Sequence, residues 1–413
     1  MRFIKPIDKF DGEFTFSGDK SITHRAIMLN AIARGTAIVK NSALGEDCLA
    51  TCLAMERLGA KIERIENGLK ITGAEKLNDE QEINCQNSAT TLRLLTGLLV
   101  GKGVSAKLYG DNSLSARPME RLAEPLRAVG AKVQTTNGKP PVHVEKSTVL
   151  GGEVSLKVPS AQVKSALLLA GLNGKNPIKV IETQPTRDHT ERMLENMGAN
   201  ILRGEKEIIL SKSELKATDV EVPADISSAS YFMALGALKG RVTCKNVGVN
   251  RTRTGIFKAF DKLGVKYSIN DLRTVCGEEI ADVLVEKSAL QPIQLTADAT
   301  MIDELPLIAL LCAFANGESR ITGAEELKYK ESNRILATAQ LINSLGGVCV
   351  PTIDGFIIEG KGGLAGGKVE GLSDHRITMT GAIGLLASET GGELYSDKSC
   401  AVSFPDFFDK LGV

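Results

Sequence analysis

The sequence predicts a two-domain α/β protein assembled from six copies of one small α/β unit, three to a domain. Three observations predict it. A helix end, a glycine and a strand start recur at Leu58-Gly59-Ala60, Val129-Gly130-Ala131, Met197-Gly198-Ala199, Leu263-Gly264-Val265, Leu345-Gly346-Gly347 and Leu411-Gly412-Val413. A second helix, polar at its start and rich in Ala, Leu, Ile and Met, begins near Asp19, Asn87, Ser160, Ser227, Asp303 and Asp374. A hairpin pattern such as Lys61–Ile71, with Asn67-Gly68 as its turn, follows the glycine junction. The junctions lie 66 to 82 residues apart, far beyond a solenoid period, so each unit is a small subdomain. Glycine suits each junction because a helix ends easily on a left-handed residue.

Taken in order, residues 1–16 alternate and turn at Asp11-Gly12, giving a strand pair with no unit of its own. The sixth unit ends at Val413 with no hairpin behind it. The economical expectation is that the N-terminal strands complete the last unit. That makes one domain discontinuous, 1–18 with 225–413, around an inserted domain of 19–224. Next come the apolar helix bodies, as in Leu167-Leu168-Leu169-Ala170 and Leu307-Ile308-Ala309-Leu310-Leu311. They are apolar almost all round and are expected inside. Short β-rich runs such as Ala37-Ile38-Val39 and Ile178-Lys179-Val180-Ile181 follow them.

Composition narrows the function. The 413 residues are 43% hydrophobic and 24% charged, with 41 Gly and no Trp, as in globular proteins. Lys+Arg and Asp+Glu balance at 50 each, so nothing in the net charge asks for nucleic acid or an anionic membrane. No apolar run reaches spanning length, and the N-terminus lacks a signal or transit pattern. Eight scattered Cys without a CxxC pair, and four His apart from them, disfavour a disulfide framework or a zinc site. The expectation is a cytoplasmic chain with buried thiols, no metal and no cofactor.

The polar starts of the buried helices hold the chemistry. Lys20, Ser21 and Arg25 lie in the first turns of the first helix. Cations there oppose the helix dipole, and such a helix start is suited to an arriving anion. Asn87-Ser88-Ala89-Thr90-Thr91-Leu92-Arg93, Ser160-Ala161-Gln162, Asp225-Ile226-Ser227-Ser228, Asp303-Glu304 and Asp374-His375-Arg376 open the other five. Singly each is an ordinary cap; together, converging on an interdomain cleft, they would form one anion-binding chamber. Arg117 precedes Pro118, which restricts its backbone to extended geometry. Thr186-Arg187-Asp188-His189 caps a short helix. Lys330, Glu331 and Arg334 are spaced as helical neighbours. His24 and His189 are expected to be structural, His143 to sit half-exposed on a strand, and His375 to be functional.

These motifs carry a resemblance. Lys-Ser-Ile-Thr-His-Arg from Lys20, Asn-Ser-Ala-Thr-Thr-Leu-Arg from Asn87, Ala-Arg-Pro-Met-Glu around Arg117, and Ser-Ala-Gln from Ser160 resemble the 3-phosphoshikimate 1-carboxyvinyltransferase family. Thr-Arg-Asp-His-Thr-Glu, Lys-Glu-Ser-Asn-Arg, Asp-His-Arg and Phe-Pro-Asp-Phe-Phe extend the match to Phe407. The resemblance implies the enolpyruvyl transferase fold, a two-domain inverse α/β barrel of six βαβαββ units. It implies a monomer whose substrates are shikimate 3-phosphate and phosphoenolpyruvate, joined at the 5-hydroxyl with release of phosphate.

By motif position, Asp303 is implied as the base, with Glu331 and Lys20 as proton donors and carriers. Lys20, Ser21, Arg25, Ser160, Gln162, Arg187, Asp303 and Lys330 match the shikimate-phosphate site. Lys20, Arg117, Gln162, Arg334 and Arg376 match the phosphoenolpyruvate site, with Asn87, Ala89 and His375 alongside. Two phosphates and two carboxylates bring roughly five to six negative charges, and seven of these side chains are cations. Their mutual repulsion predicts an open unliganded form that closes on shikimate 3-phosphate.

Two positions depart from the family pattern. Ala89 stands where a Gly is frequent, which implies tolerance of glyphosate. Val402 stands where many relatives carry a Lys, leaving Arg117, Arg334 and Arg376 to hold phosphoenolpyruvate. The rival readings are the sister transferase acting on UDP-N-acetylglucosamine and a non-catalytic phosphometabolite-binding protein. The sister enzyme has a Cys five residues before its Arg-Pro, where this chain has Asn112.

Overall fold

The computed structural model of the chain describes residues 1–413. The residues group into two compact units, one of Gly18–Val222 with Val275–Glu278, the other of Met1–Ser17, Pro223–Thr274 and Glu279–Val413. Each has its own apolar core.

The 18–222 unit holds three four-stranded sheets of one design. In the second, Gln81–Asn84 runs parallel to Ala106–Tyr109, which pairs antiparallel with Lys139–Glu145, itself antiparallel to Lys132–Thr136. Parallel neighbours need a crossover, which the Ala89–Lys102 helix supplies, whereas the antiparallel pair needs only a tight turn. Gly152–Ser155, Ile178–Ile181, Glu207–Leu210 and Ile201–Arg203 repeat the order. The first sheet takes its opening strand from the far end of the unit, where Val220–Glu221 lies parallel to Thr36–Lys40. Its hairpin turns at Glu66-Asn67, one residue earlier than expected, and Gly68 opens the return strand. There a Cβ would stand 2.0 Å from the Val39 carbonyl oxygen.

The other unit repeats the design with the N-terminus divided between two sheets. Arg2–Ile4 pairs antiparallel with Gly392–Tyr395 of the sixth unit, as expected for a strand completing it. Phe10–Phe14 instead runs parallel to the Gly240–Cys244 part of the fourth unit. Asp11-Gly12 is therefore not a turn. It lies inside the second strand, where an Asp11 carboxylate oxygen accepts from the Arg241 N–H at 2.7 Å. Pro6 explains the separation, since a residue without N–H cannot continue a ladder, and the chain leaves the sheet there. The fifth sheet has the standard four strands and the sixth has three.

The six buried helices are Lys20–Ala31, Ala89–Lys102, Ala161–Gly171, Ile226–Lys239, Leu305–Ala313 and His375–Ala387. Every residue of the last two is buried. Ala89–Lys102 and Ala161–Gly171 pack backbone to backbone, because a Cβ on Gly97 would lie only 2.1 Å from the Ala166 carbonyl oxygen. That approach sets their polar starts side by side. The six glycine junctions all have positive φ. All eight Cys are free thiols; seven are buried, and Cys276 is the exposed exception. No helix is long and apolar enough to cross a membrane.

Candidate active site

Each unit gathers the starts of its three buried helices into one polar cluster.

In the 18–222 unit, Asp19 caps the first helix by accepting from the Ile22 N–H at 2.9 Å. The cap leaves Lys20 as the first helical residue, with Nζ 3.0 Å from an Asp47 carboxylate oxygen. Asp47, in the first turn of the Glu46–Arg57 helix, has no motif to mark it and escaped the sequence reading. Its carbonyl oxygen also accepts from the Thr91 hydroxyl at 3.4 Å, which ties the first helix region to the second. Arg187 donates to the Ser21 hydroxyl at 3.3 Å.

Arg25 is held by the protein around it, as Arg334 is in the other unit. It is 3% exposed. Its guanidinium donates to the Thr190 hydroxyl at 2.6 Å, the Ser165 hydroxyl at 2.9 Å and the Ser21 carbonyl at 2.8 Å. Burial lowers its pKa to about 10, against the pull of Glu191, so it stays charged at neutral pH. Arg25 thus ties the first helix to the third and to the Arg187 segment.

The second and third helix starts meet through Arg93. Its guanidinium donates to the Gln162 side-chain oxygen, and the Gln162 amide donates to the Thr90 hydroxyl at 2.9 Å. Ser88 and Ser160 are the caps of these two helices. Arg117 donates to Asn87 at 3.2 Å, and Asn87 donates to Asp111 at 2.7 Å. Ala89 is the first residue of its helix and is buried, its methyl one residue from the Thr90–Gln162 bond. Asn112 begins a four-residue helix capped by Asp111. Sequence reading noted Arg93 only as a cation one and a half turns into its helix.

In the other unit, Asp303 lies 3.1 Å from Lys330 Nζ and 3.6 Å from an Arg334 nitrogen. Arg334 is almost wholly buried and grips Asp374 with two bonds, at 2.9 and 3.0 Å. It reaches Glu331 at 2.6 Å as well. Burial works against the Arg334 charge, but Asp374, then Glu331, outweigh it and raise its pKa. Asp374 has no exposed surface, and burial alone would raise its pKa; Arg334 overrides this and holds it below the usual carboxylate value. Asp374 also caps the sixth helix through the Arg376 N–H at 3.0 Å and accepts from the Ser332 hydroxyl at 2.9 Å.

The expected helical spacing of Lys330 and Arg334 is not realised. A 3-10 turn covers Glu325–Tyr329, residues 330–333 form a loop, and the helix begins at Arg334 under an Asn333 cap. The loop lets Lys330 and Glu331 reach Asp303 and Arg334 from outside the helix.

Glu304 lies behind Asp303. It accepts from the Ser227 hydroxyl, and Arg376 stands 3.8 Å away. Burial raises its pKa. Ser227 accepts from Arg253 at 2.8 Å, and Arg253 also meets Asp225, the cap of the fourth helix. Burial pushes the Tyr231 hydroxyl up to about 12 against the neighbouring Arg376. His375 is buried as the first residue of the sixth helix. Val402 ends a 3-10 turn, half-buried. Arg253 and Tyr231 escaped the sequence reading, because a buried Arg or Tyr is indistinguishable by spacing from a surface one.

The remaining His divide as follows. His24 is fully buried with Nδ1 2.7 Å from the Thr51 hydroxyl, and burial pushes its pKa well down, so it is neutral and structural. His189 pairs with Glu278 at 2.7 Å. His143 is an exposed strand residue. No group of three or more His, Cys, Asp or Glu side chains is arranged to hold a metal ion.

A family model described as EPSP synthase (3-phosphoshikimate 1-carboxyvinyltransferase) matches residues 4–411. The chain belongs to this family. A relative named 3-phosphoshikimate 1-carboxyvinyltransferase, from Alkaliphilus metalliredigens, is 42% identical, with 100% of this chain and 99% of that protein aligned. One of the same name from Oceanobacillus iheyensis is 40% identical over 99% of this chain and 98% of its own length. The solved EPSP synthase of Acinetobacter baumannii superposes with a TM-score of 0.87 at 39% identity, covering 99% of this chain and 97% of that one. The fold is therefore the family's α/β architecture of repeated units in two domains.

Proposed function

We propose that the two polar clusters of this EPSP synthase family member serve one reaction, transfer of the enolpyruvyl group from phosphoenolpyruvate to the 5-hydroxyl of shikimate 3-phosphate. The observation that carries this reading is the Asp303–Lys330–Glu331–Arg334 group, which sets two carboxylates of different surroundings beside two cations. Asp303, beside Lys330 and Arg334, is the carboxylate that takes the proton of the attacking 5-hydroxyl. The hydroxyl oxygen bonds to C2 of phosphoenolpyruvate while Glu331 or Lys20 delivers a proton to the methylene carbon. The product of addition is a tetrahedral ketal phosphate carrying a methyl group. Loss of one methyl proton and departure of phosphate restore the double bond, so atoms and charge balance. Lys20, Ser21, Arg25, Ser160, Gln162, Arg187 and Lys330 serve the shikimate phosphate. Arg117, Arg334 and Arg376 serve phosphoenolpyruvate, alongside Asn87, Ala89 and His375.

The test is turnover in D₂O, followed by proton NMR of the product. The expected result is an enol ether at the 5-hydroxyl with deuterium in its methylene group, because the added proton comes from exchangeable acids. No enol ether would overturn the assignment, and an enol ether free of deuterium would overturn the proton-addition step.

Ala89 supports a second expectation. Its methyl narrows the phosphoenolpyruvate side of the pocket, so glyphosate should inhibit weakly. One methyl in a close-fitting site is worth about 10- to 200-fold. Ala89→Gly should lower the glyphosate inhibition constant by a factor in that range, read from steady-state competition against phosphoenolpyruvate. An unchanged constant would remove Ala89 from the specificity argument.

A further inference from the structure

Behind the Arg25–Arg187 side of the 18–222 unit lies a buried ionic cluster that the reaction scheme does not use. Lys164, 1% exposed, is in the Ala161–Gly171 helix. Its ammonium meets Glu182 at 2.9 Å, Glu191 at 2.7 Å and the Thr186 carbonyl at 3.3 Å. Those three acceptors match the three donors of an ammonium group. Glu182 in turn accepts from the Thr186 hydroxyl. Thr186 is therefore held twice, by its carbonyl and by its hydroxyl, immediately before Arg187.

Burial raises the Glu191 pKa against the pull of Lys164. Glu191 is also the strongest of the acidic groups that sustain the Arg25 charge. The bonds from Arg25 go to Ser165 and Thr190, the chain neighbours of Lys164 and Glu191. Burial pulls the Lys164 pKa down, but Glu191 and Glu182 more than compensate and keep it charged.

Such clusters add little net stability compared with apolar packing, because desolvation offsets their attraction. Their use must be sought in geometry. We propose that Lys164 is a positioning residue for the first substrate: through Thr186 it fixes the segment presenting Arg187 to Ser21, and through Glu191 it anchors the turn whose Thr190 hydroxyl accepts from Arg25. This rests on the assignment of Arg187 to shikimate 3-phosphate. It places the effect on that substrate alone, with phosphoenolpyruvate and the proton transfers served by other groups.

The experiment is steady-state kinetics of Thr186→Val and Lys164→Met, each with thermal melts. Thr186→Val removes one hydroxyl at nearly constant shape. It should lower kcat/KM for shikimate 3-phosphate severalfold, and Lys164→Met should lower it on the order of 10²-fold, the scale of a small misplacement of a binding group. In both variants KM for phosphoenolpyruvate should stay within twofold of the parent. If Lys164→Met does not fold, Thr186→Val alone decides. A lowered melting temperature with an unchanged kcat/KM for shikimate 3-phosphate would make the cluster purely structural and overturn the proposal. If the unmodified chain itself releases no phosphate from the two substrates, the reaction assignment fails instead. Binding of inorganic phosphate then decides the positioning claim: weaker binding in Thr186→Val upholds it and equal binding overturns it.

Discussion

Asp303→Asn should lower kcat by about 10²- to 10⁴-fold, the contribution expected of a positioned general base, while leaving the fold intact. Asparagine keeps an oxygen that can accept from Lys330, which lies 3.1 Å away, and from Arg334. What it loses is the ability to take a proton. KM for shikimate 3-phosphate should change less than kcat, since Ser21, Ser160, Gln162 and Arg187, which serve the same substrate, are in the 18–222 unit. Stopped-flow or steady-state assays of phosphate release, with a melting curve as the folding control, read this directly. A variant within threefold of the parent would remove Asp303 from the proton transfer.

Asp374 should give the largest stability effect. It holds Arg334 by two bonds, caps the sixth helix and accepts from Ser332, all with no exposed surface. Asp374→Ala removes the partner of a buried guanidinium, and such truncations cost about 3–5 kcal/mol. Lost capping adds about 1 kcal/mol. Denaturant unfolding should therefore show a midpoint shift far outside the range of surface variants, and the activity that needs Arg334 should fall with it. A shift below 1 kcal/mol would mean that Glu331 and Asp303 suffice to hold Arg334.

The pH dependence follows from the sign of the shift. The folded-state pKa of Asp374 is depressed despite burial, because Arg334 stabilises its ionised form. Its contribution is present above the unfolded value of about 3.9. It is lost as pH falls through the lower folded value. The parent should therefore lose stability on the acid side over that window, and Asp374→Ala should lose less there because it has less to lose.

The six-unit architecture was legible in the sequence because two independent signals recur in it. The glycine junctions mark where each short helix must stop, and the apolar helix bodies mark what must lie inside. Helix starts were equally legible: Asp19, Ser88, Ser160, Asp225 and Asp374 all cap as their residue types prefer. The fifth helix was the weakest case. It begins at Leu305, with Pro306 in its first turn, and Glu304 makes no capping bond. Glu304 is directed instead to Ser227 and Arg376.

The N-terminal strands were misassigned in part because Asp-Gly reads as a turn wherever it occurs. Here a neighbouring strand captures it: the Arg241 N–H satisfies the Asp11 carboxylate within the ladder. Lys330 and Arg334 show the same limit, since their spacing fits a helix that forms only from Arg334 onward. Asp47, Arg253 and Lys164 were invisible for a common reason. A buried charge is defined by its partner, and its partner lies far along the chain: Lys20 for Asp47, Ser227 for Arg253, Glu182 and Glu191 for Lys164. The candidate site residues read from the sequence are those whose neighbours in the chain form a motif.

The most direct test of the account is inorganic phosphate release by the purified full-length chain on mixing shikimate 3-phosphate with phosphoenolpyruvate. The expected result is one phosphate per enol ether formed, no release from either substrate alone, and none when UDP-N-acetylglucosamine replaces shikimate 3-phosphate. Release with the nucleotide sugar would point to the sister reaction. Binding of both shikimate 3-phosphate and phosphoenolpyruvate without release would leave a phosphometabolite-binding protein, and either outcome would contradict the reaction assigned here.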